Sequence, residues 1–275
     1  MRSQRAATLK SCLASIGCFD VVAFVLANVL FSVISNKHNH YYRIANCQSH
    51  LKQLGMGFAQ YANDYDEQYP VRGQDGTGWA GALYPYEKST GMFKCPDDEN
   101  KDVVTEASHS YPLSYSLNSN IFHRQGNRAV SSKLQELNHV TTMVLAFETD
   151  GTLVDMTKSD EGGIVSPSGF HSGIGNGLPP WPRTSNLTAD GKQIQYACGE
   201  FAGRGEGSVY GSPRHDDASS FLCADGHVKL LRAAKVSTGR TPVRSGAQPG
   251  NAVSGTAASS DTLDDGGFTL TFSTR

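Results

Sequence analysis

The sequence predicts an α+β fold in which a long N-terminal helix, half membrane-spanning and half amphipathic, packs on a small antiparallel β-sheet. Three observations predict it. Residues 12–35 form a long apolar run, a one-sided apolar stripe begins at Ile44, and a strand–turn–strand signal is centred on Asp225-Gly226. The bulk composition fits a folded chain of one large or two modest domains: 275 residues, 38% hydrophobic and 18% charged. Twenty-nine glycines point to a loop-rich body of short elements. A formal net charge of -2 without a basic cluster gives no nucleic-acid footprint, so nucleic acid is not an expected partner.

The run SCLASIGCFDVVAFVLANVLFSVI is long enough, at about 1.5 Å per helical residue, to cross a hydrocarbon core of about 30 Å. Arg2, Arg5 and Lys10 precede it and favour a cytoplasmic N-terminus with the body exported. Asp20 and Asn28 interrupt it, and an intramembrane carboxylate has to be neutral, paired or turned toward another helix. A retained anchor is preferred over a cleaved signal peptide because no A-x-A site follows. A buried soluble helix is the third alternative.

From Ile44 the apolar residues Cys47, Leu51, Leu54, Phe58, Tyr61 and Tyr65 recur at spacings of three and four, one stripe of an amphipathic helix. Gly55 and Gly57 weaken it locally, and Pro70 ends it. Residues 139–148, HVTTMVLAFE, read as a buried strand, with Asp150-Gly151 as the turn after it. SSFLCA and HVKLL around Asp225-Gly226 read as a hairpin, because glycine accepts the positive φ such a turn requires. The terminal GGFTLTFSTR alternates Phe268, Leu270 and Phe272 with polar residues, one amphipathic strand. The expected divisions are a leader-like segment 1–11, a membrane half 12–35 and an amphipathic half 36–66. A globular domain 67–235 with a variable insertion at 152–212 follows, then a flexible tail 236–275.

None of the six cysteines forms a CxxC pair; Cys47, Cys95, Cys198 and Cys223 are either disulfide partners or buried thiols. His215, Asp225 and His227 are of metal-ligand type, with Glu148 as a candidate fourth. Turn chemistry explains Asp225-Gly226 without any ligand and is the preferred reading, leaving His215 to bond a neighbouring strand. No G-x-S-x-G, HExxH, Walker or GxGxxG context occurs, so no enzyme is expected. The pairs Asp64 with Asp66 and Asp97 with Asp98 read as solvated surface.

The stretch CQSHLKQLGMGFAQYANDYDEQYP resembles the opening of the type IV pilin-like, or type II secretion pseudopilin-like, proteins of planctomycete-type bacteria. Cys47, Leu51, Lys52, Gln53 and Gly55 carry that likeness, and Cys95-Pro96 with Asp97 is similar to the family's C-P-S-D. Arg214, His215, Asp225, Gly226 and His227 reproduce its H-x9-DG motif. The resemblance implies a pilin-like fold and a Cys47–Cys95 disulfide, with two buried thiols as an equal alternative. It implies processing near Ala6 and Ala7, although Ser11 stands where the family has an acid. It also implies a non-catalytic component of a type II secretion or pilus-like apparatus. Its partners would be like subunits and the inner membrane, which it would cross once. The alternative is an exported, membrane-tethered binding domain that does not polymerise. No cofactor is required; calcium, held in related pseudopilins by a loop site, or another divalent metal is the alternative.

Overall fold

The computed structural model describes residues 2–70, 78–105, 109–125, 128–161, 174–175, 195–198, 213–237 and 269–274. Helix α1 covers Arg2–Asp64 and α2 covers Trp79–Glu87. The strands are β1 Val103–Val104, β2 His109–Asn118, β3 Phe122–Gln125, β4 Arg128–Ser131 and β5 Val144–Val154. They continue with β6 Ile174–Gly175, β7 Gln195–Tyr196, β8 Ser219–Cys223, β9 Val228–Leu231, β10 Val236–Ser237 and β11 Leu270–Thr271. The chain divides into two compact units, Met1–Ala45 and Asn46–Arg275.

The expected fold is corrected on two counts. No helix among the described residues is long and apolar enough to cross a membrane. The described side chains from Phe24 to Ser32 include Asn28 and Ser32, whose polar groups bond the helix's own carbonyls of Phe24 (2.7 Å) and Val29 (2.8 Å). The membrane half at 12–35 and the single-pass inner-membrane placement are therefore withdrawn. The sheet is also not a small antiparallel one. Among the described residues seven strands pair, in the order β1-β2-β5-β8-β9 with β6 added parallel to β2 and β7 antiparallel to β5. Ala6 and Ala7 fall in α1, but their side chains lie outside the described residues.

In the larger unit the apolar stripe of α1 does what its spacing demands. Cys47, Leu51, Leu54 and Phe58 are at most 1% exposed and join one core with Trp79, Leu83, Phe93, Leu113, Tyr115, Leu145 and Leu222. Tyr65, last in the sequence stripe, is 53% exposed because the helix has already ended at Asp64. A second core lies around Phe147, Phe221, Val236, Leu270 and Phe272. The predicted terminal strand is found here as β11, paired in parallel with β10 of the same chain, while Phe272 meets Phe147 edge to face at 5.2 Å. Phe268, most of the 236–275 tail and the Pro-rich part of the 152–212 insertion lie outside the described residues.

The strand expected at 139–148 starts later, at Val144, after a turn in which His139 takes a φ of 53°. It also runs through Asp150-Gly151, the expected turn. Leu113 of β2 pairs with Thr152 and Tyr115 with Glu148, so residues 149–151 of β5 stand opposite Ser114 alone; the strand bulges at Asp150-Gly151, and Thr149 and Asp150 pair instead with Tyr196 and Gln195 of β7.

Candidate metal centre

Two sequence motifs meet where α1 crosses the β8–β9 turn. Gly226 has φ +84° and closes the turn by donating its N–H to the Cys223 carbonyl at 2.9 Å. Lys52 Nζ donates to the Gly226 carbonyl at 2.6 Å. At Gly55 a Cβ would lie 3.0 Å from Leu222 Cδ1 and 3.6 Å from Gly226 Cα, so the helix comes this close to the turn because that position has no side chain. Leu51 is buried beside them and Gln53 half-buried. Gly226→Ala meets no neighbouring atom within 4 Å, so its expected cost is conformational alone, about 1–2 kcal/mol. A urea unfolding curve reads it, and an unchanged midpoint would contradict the assignment.

Asp225 and His227 do not join His215. They sit at the partly exposed turn and bond each other, Asp225 Oδ1 accepting from the His227 backbone N–H at 3.1 Å and facing its Nδ1. The expected trio of His215, Asp225 and His227 is thus divided, and the turn explains two of its members.

His215 goes elsewhere. Residues 215–218 form a tight turn, His215 and Ala218 exchanging backbone hydrogen bonds at 3.2 and 3.0 Å, which swings the imidazole inward ahead of β8. There it joins Cys47 of α1, Cys95 after the short turn of helix at 90–93, and Glu148 of β5. One ligand atom from each of the four lies within 4.8 Å of all the others, and all four residues are buried. Cys47 Sγ donates to Glu148 Oε1 at 2.8 Å, His215 Nε2 lies 3.0 Å from the same oxygen, and Cys95 Sγ is 3.5 Å from Nε2. This cluster can hold a metal ion. Cys47 and Cys95 are free, buried thiols, so of the two equal alternatives the pair of buried thiols holds and the disulfide does not.

A second ring of polar groups holds the four. Asp97 Oδ2 accepts from His215 Nδ1 at 2.9 Å. The Cys95 N–H donates to Ser114 Oγ at 2.9 Å, and that hydroxyl donates to Asp98 Oδ2 at 2.6 Å. Arg214 donates to the Thr149 carbonyl at 2.8 Å and lies 3.5 Å from Asp98 Oδ2 and 4.0 Å from Glu148 Oε2. The Tyr115 hydroxyl is 3.2 Å from Cys47 Sγ. Pro96 is exposed beside Cys95. The reading of Asp97 and Asp98 as solvated surface is therefore corrected. Their side chains are 12% and 2% exposed, and the signal that finds them is adjacency to Cys95.

The electrostatics follow from this packing. Burial pushes the Cys95 thiol up, but hydrogen bonds with Cys47 and His215 outweigh it and bring it down to about 7. Burial pushes His215 down, and its bonds to Cys95 and Glu148 reverse this, raising it to about 10. Burial, then the bond with Cys95, then the charge of Glu148 hold the Cys47 thiol well above its ordinary value. One thiol inclined to ionise, a paired imidazole and a carboxylate are the ingredients of a metal site or of a thiolate–imidazolium pair.

Comparison with protein-family models, with curated proteins and with solved structures gives no significant match.

Proposed function

We propose that this protein is a non-catalytic, pilin-like subunit that works by helix packing and domain contacts with like subunits of a secretion or pilus-like apparatus. One observation carries the proposal: within the smaller unit, Phe24, Val25, Leu26, Val29, Leu30 and Phe31 of α1 are each 54–74% exposed. A contiguous apolar surface of this kind marks an interaction site. Its occupants are the equivalent helices of other such subunits: at about 100° per residue the six side chains lie all round α1, and Asn28 and Ser32 satisfy their polar groups on the helix's own carbonyls, so neighbouring helices can cover it on every side. The motif resemblance supports the same class. Burial of all four chemistry-bearing residues at the metal-capable cluster favours a structural part for it over catalysis. Its sulfur and imidazole donors suit a borderline or soft divalent ion rather than calcium, which takes oxygen ligands.

Sedimentation of the full-length chain tests this. The wild-type chain is expected to self-associate reversibly, and Leu26→Glu with Leu30→Glu is expected to abolish association while leaving the fold intact. A wild-type chain that stays monomeric, or association unaffected by the pair of substitutions, would reject helix packing and leave a binding domain that does not polymerise.

A further inference from the structure

We propose that Cys47, Cys95, His215 and Glu148 bind one zinc ion as a closed, structural site that fastens α1 to the sheet of the larger unit. The donor set is two sulfurs, one imidazole nitrogen and one carboxylate oxygen, all within 4.8 Å of one another, which is the composition and count of a four-coordinate zinc site. The ligands come from four separate places: α1, the loop after residues 90–93, β5 and the turn before β8. A single ion therefore joins elements that the chain brings together only by folding.

Three features beyond the ligands point to an ion. His215 Nε2 faces the cluster while Nδ1, at 2.9 Å, donates to Asp97, the carboxylate partner that fixes the orientation of a metal-bound histidine. Glu148 Oε1 lies 2.8 Å from Cys47 Sγ and 3.0 Å from His215 Nε2, so one carboxylate oxygen already faces two other donors of the set, while buried Oε2 makes no hydrogen bond and faces Arg214 at 4.0 Å. Charge is also partly offset: two thiolates and a carboxylate around a divalent ion leave one negative charge, and the buried Arg214 guanidinium, 4.0 Å from Glu148 and 3.5 Å from Asp98, is a cation shared between that centre and Asp98. Binding forms two Zn–S bonds, one Zn–N bond and one Zn–O bond. It releases to solvent the two thiol protons and the Nε2 proton where the imidazole carries one. No oxidant or reductant is involved.

The test is elemental analysis of the full-length protein purified without chelator and, separately, refolded with zinc chloride. About one zinc per chain is expected, and the paired substitutions Cys47→Ser and Cys95→Ser should abolish it. Because that variant risks misfolding, two readouts use folded chains. Cobalt(II) in the wild-type protein should show sulfur-to-metal charge-transfer absorption, and Asp97→Asn should keep the fold while weakening zinc affinity by about 10–100-fold. Folded wild-type protein that takes up no zinc overturns the proposal. So do cobalt uptake without thiolate bands, Asp97→Asn with unchanged affinity, or rapid alkylation of Cys95 in the zinc-treated folded chain, which would mark an accessible reactive thiol. Metal stoichiometry is independent of self-association, so its failure is distinguishable from failure of the helix-packing proposal.

Discussion

Arg214→Ala is expected to destabilise the folded chain by about 3–5 kcal/mol, the cost of breaking a buried ionic network by removing one partner. The guanidinium is 5% exposed and stands between Asp98 and Glu148, whose side chains are 2% and 0% exposed. It also donates to the Thr149 carbonyl at 2.8 Å. Alanine removes the cation and leaves both carboxyl groups buried without it. Burial alone would push Arg214 toward losing its proton, and the surrounding charges of Glu148, Cys95 and Asp98 more than reverse that. Arg214→Lys keeps the charge but loses the forked geometry, so it should recover only part of the loss. Urea unfolding of the two variants reads the result, and an alanine variant within about 1 kcal/mol of wild type, the range of exposed ion pairs, would show that Arg214 is not integral to the network.

The second large effect is expected at Phe58. Phe58→Ala should cost about 3–5 kcal/mol, the range for truncating a buried aromatic. The ring is 1% exposed, with its centroid 5.7 Å from that of Trp79 and 6.2 Å from that of Tyr69. It therefore joins α1 to the start of α2 and to the chain leaving α1. Met56, two residues away and 52% exposed, is the control, since a surface change there should stay within about 0.5 kcal/mol. Equal losses at the two positions would mean that the buried face of α1 has been assigned wrongly.

Which parts were legible in the sequence follows from the range of the forces involved. The buried face at Cys47, Leu51, Leu54 and Phe58 was readable because a helix imposes its own period, and the Asp225-Gly226 hairpin because a tight turn needs glycine at positive φ. Asp150-Gly151 carries the same turn chemistry, yet β5 takes it up as a bulge between two runs of pairing with β2, with Asp150 paired to Gln195 of β7. The membrane assignment of 12–35 fails although Asp20 and Asn28 are visible in the sequence as interruptions: no described helix is apolar enough over the length a span requires.

At the centre, His215 and Glu148 are both legible in the sequence as candidate ligands, whereas Asp225 and His227 enter only as members of the H-x9-DG motif with side chains of metal-ligand type. The structure substitutes Cys47 and Cys95, which are 168 and 120 residues from His215 in the chain numbering (215 − 47 and 215 − 95). Only the tertiary fold brings such ligands together. The sequence leaves a Cys47–Cys95 disulfide and two buried thiols as equal alternatives, and the second is the one found; what the sequence does not show is that His215 and Glu148 stand between them. Asp97 and Asp98 read as solvated surface because a charged pair in a loop ordinarily is; here Ser114, Arg214 and His215 cover them.

X-ray absorption at the zinc edge of the zinc-loaded, full-length protein tests the central claim most directly, because it reads the ligand atoms themselves. The four-residue centre predicts two sulfur neighbours at about 2.3 Å with nitrogen and oxygen at about 2.0–2.2 Å. A shell of nitrogen and oxygen alone would place the ion away from Cys47 and Cys95 and contradict it.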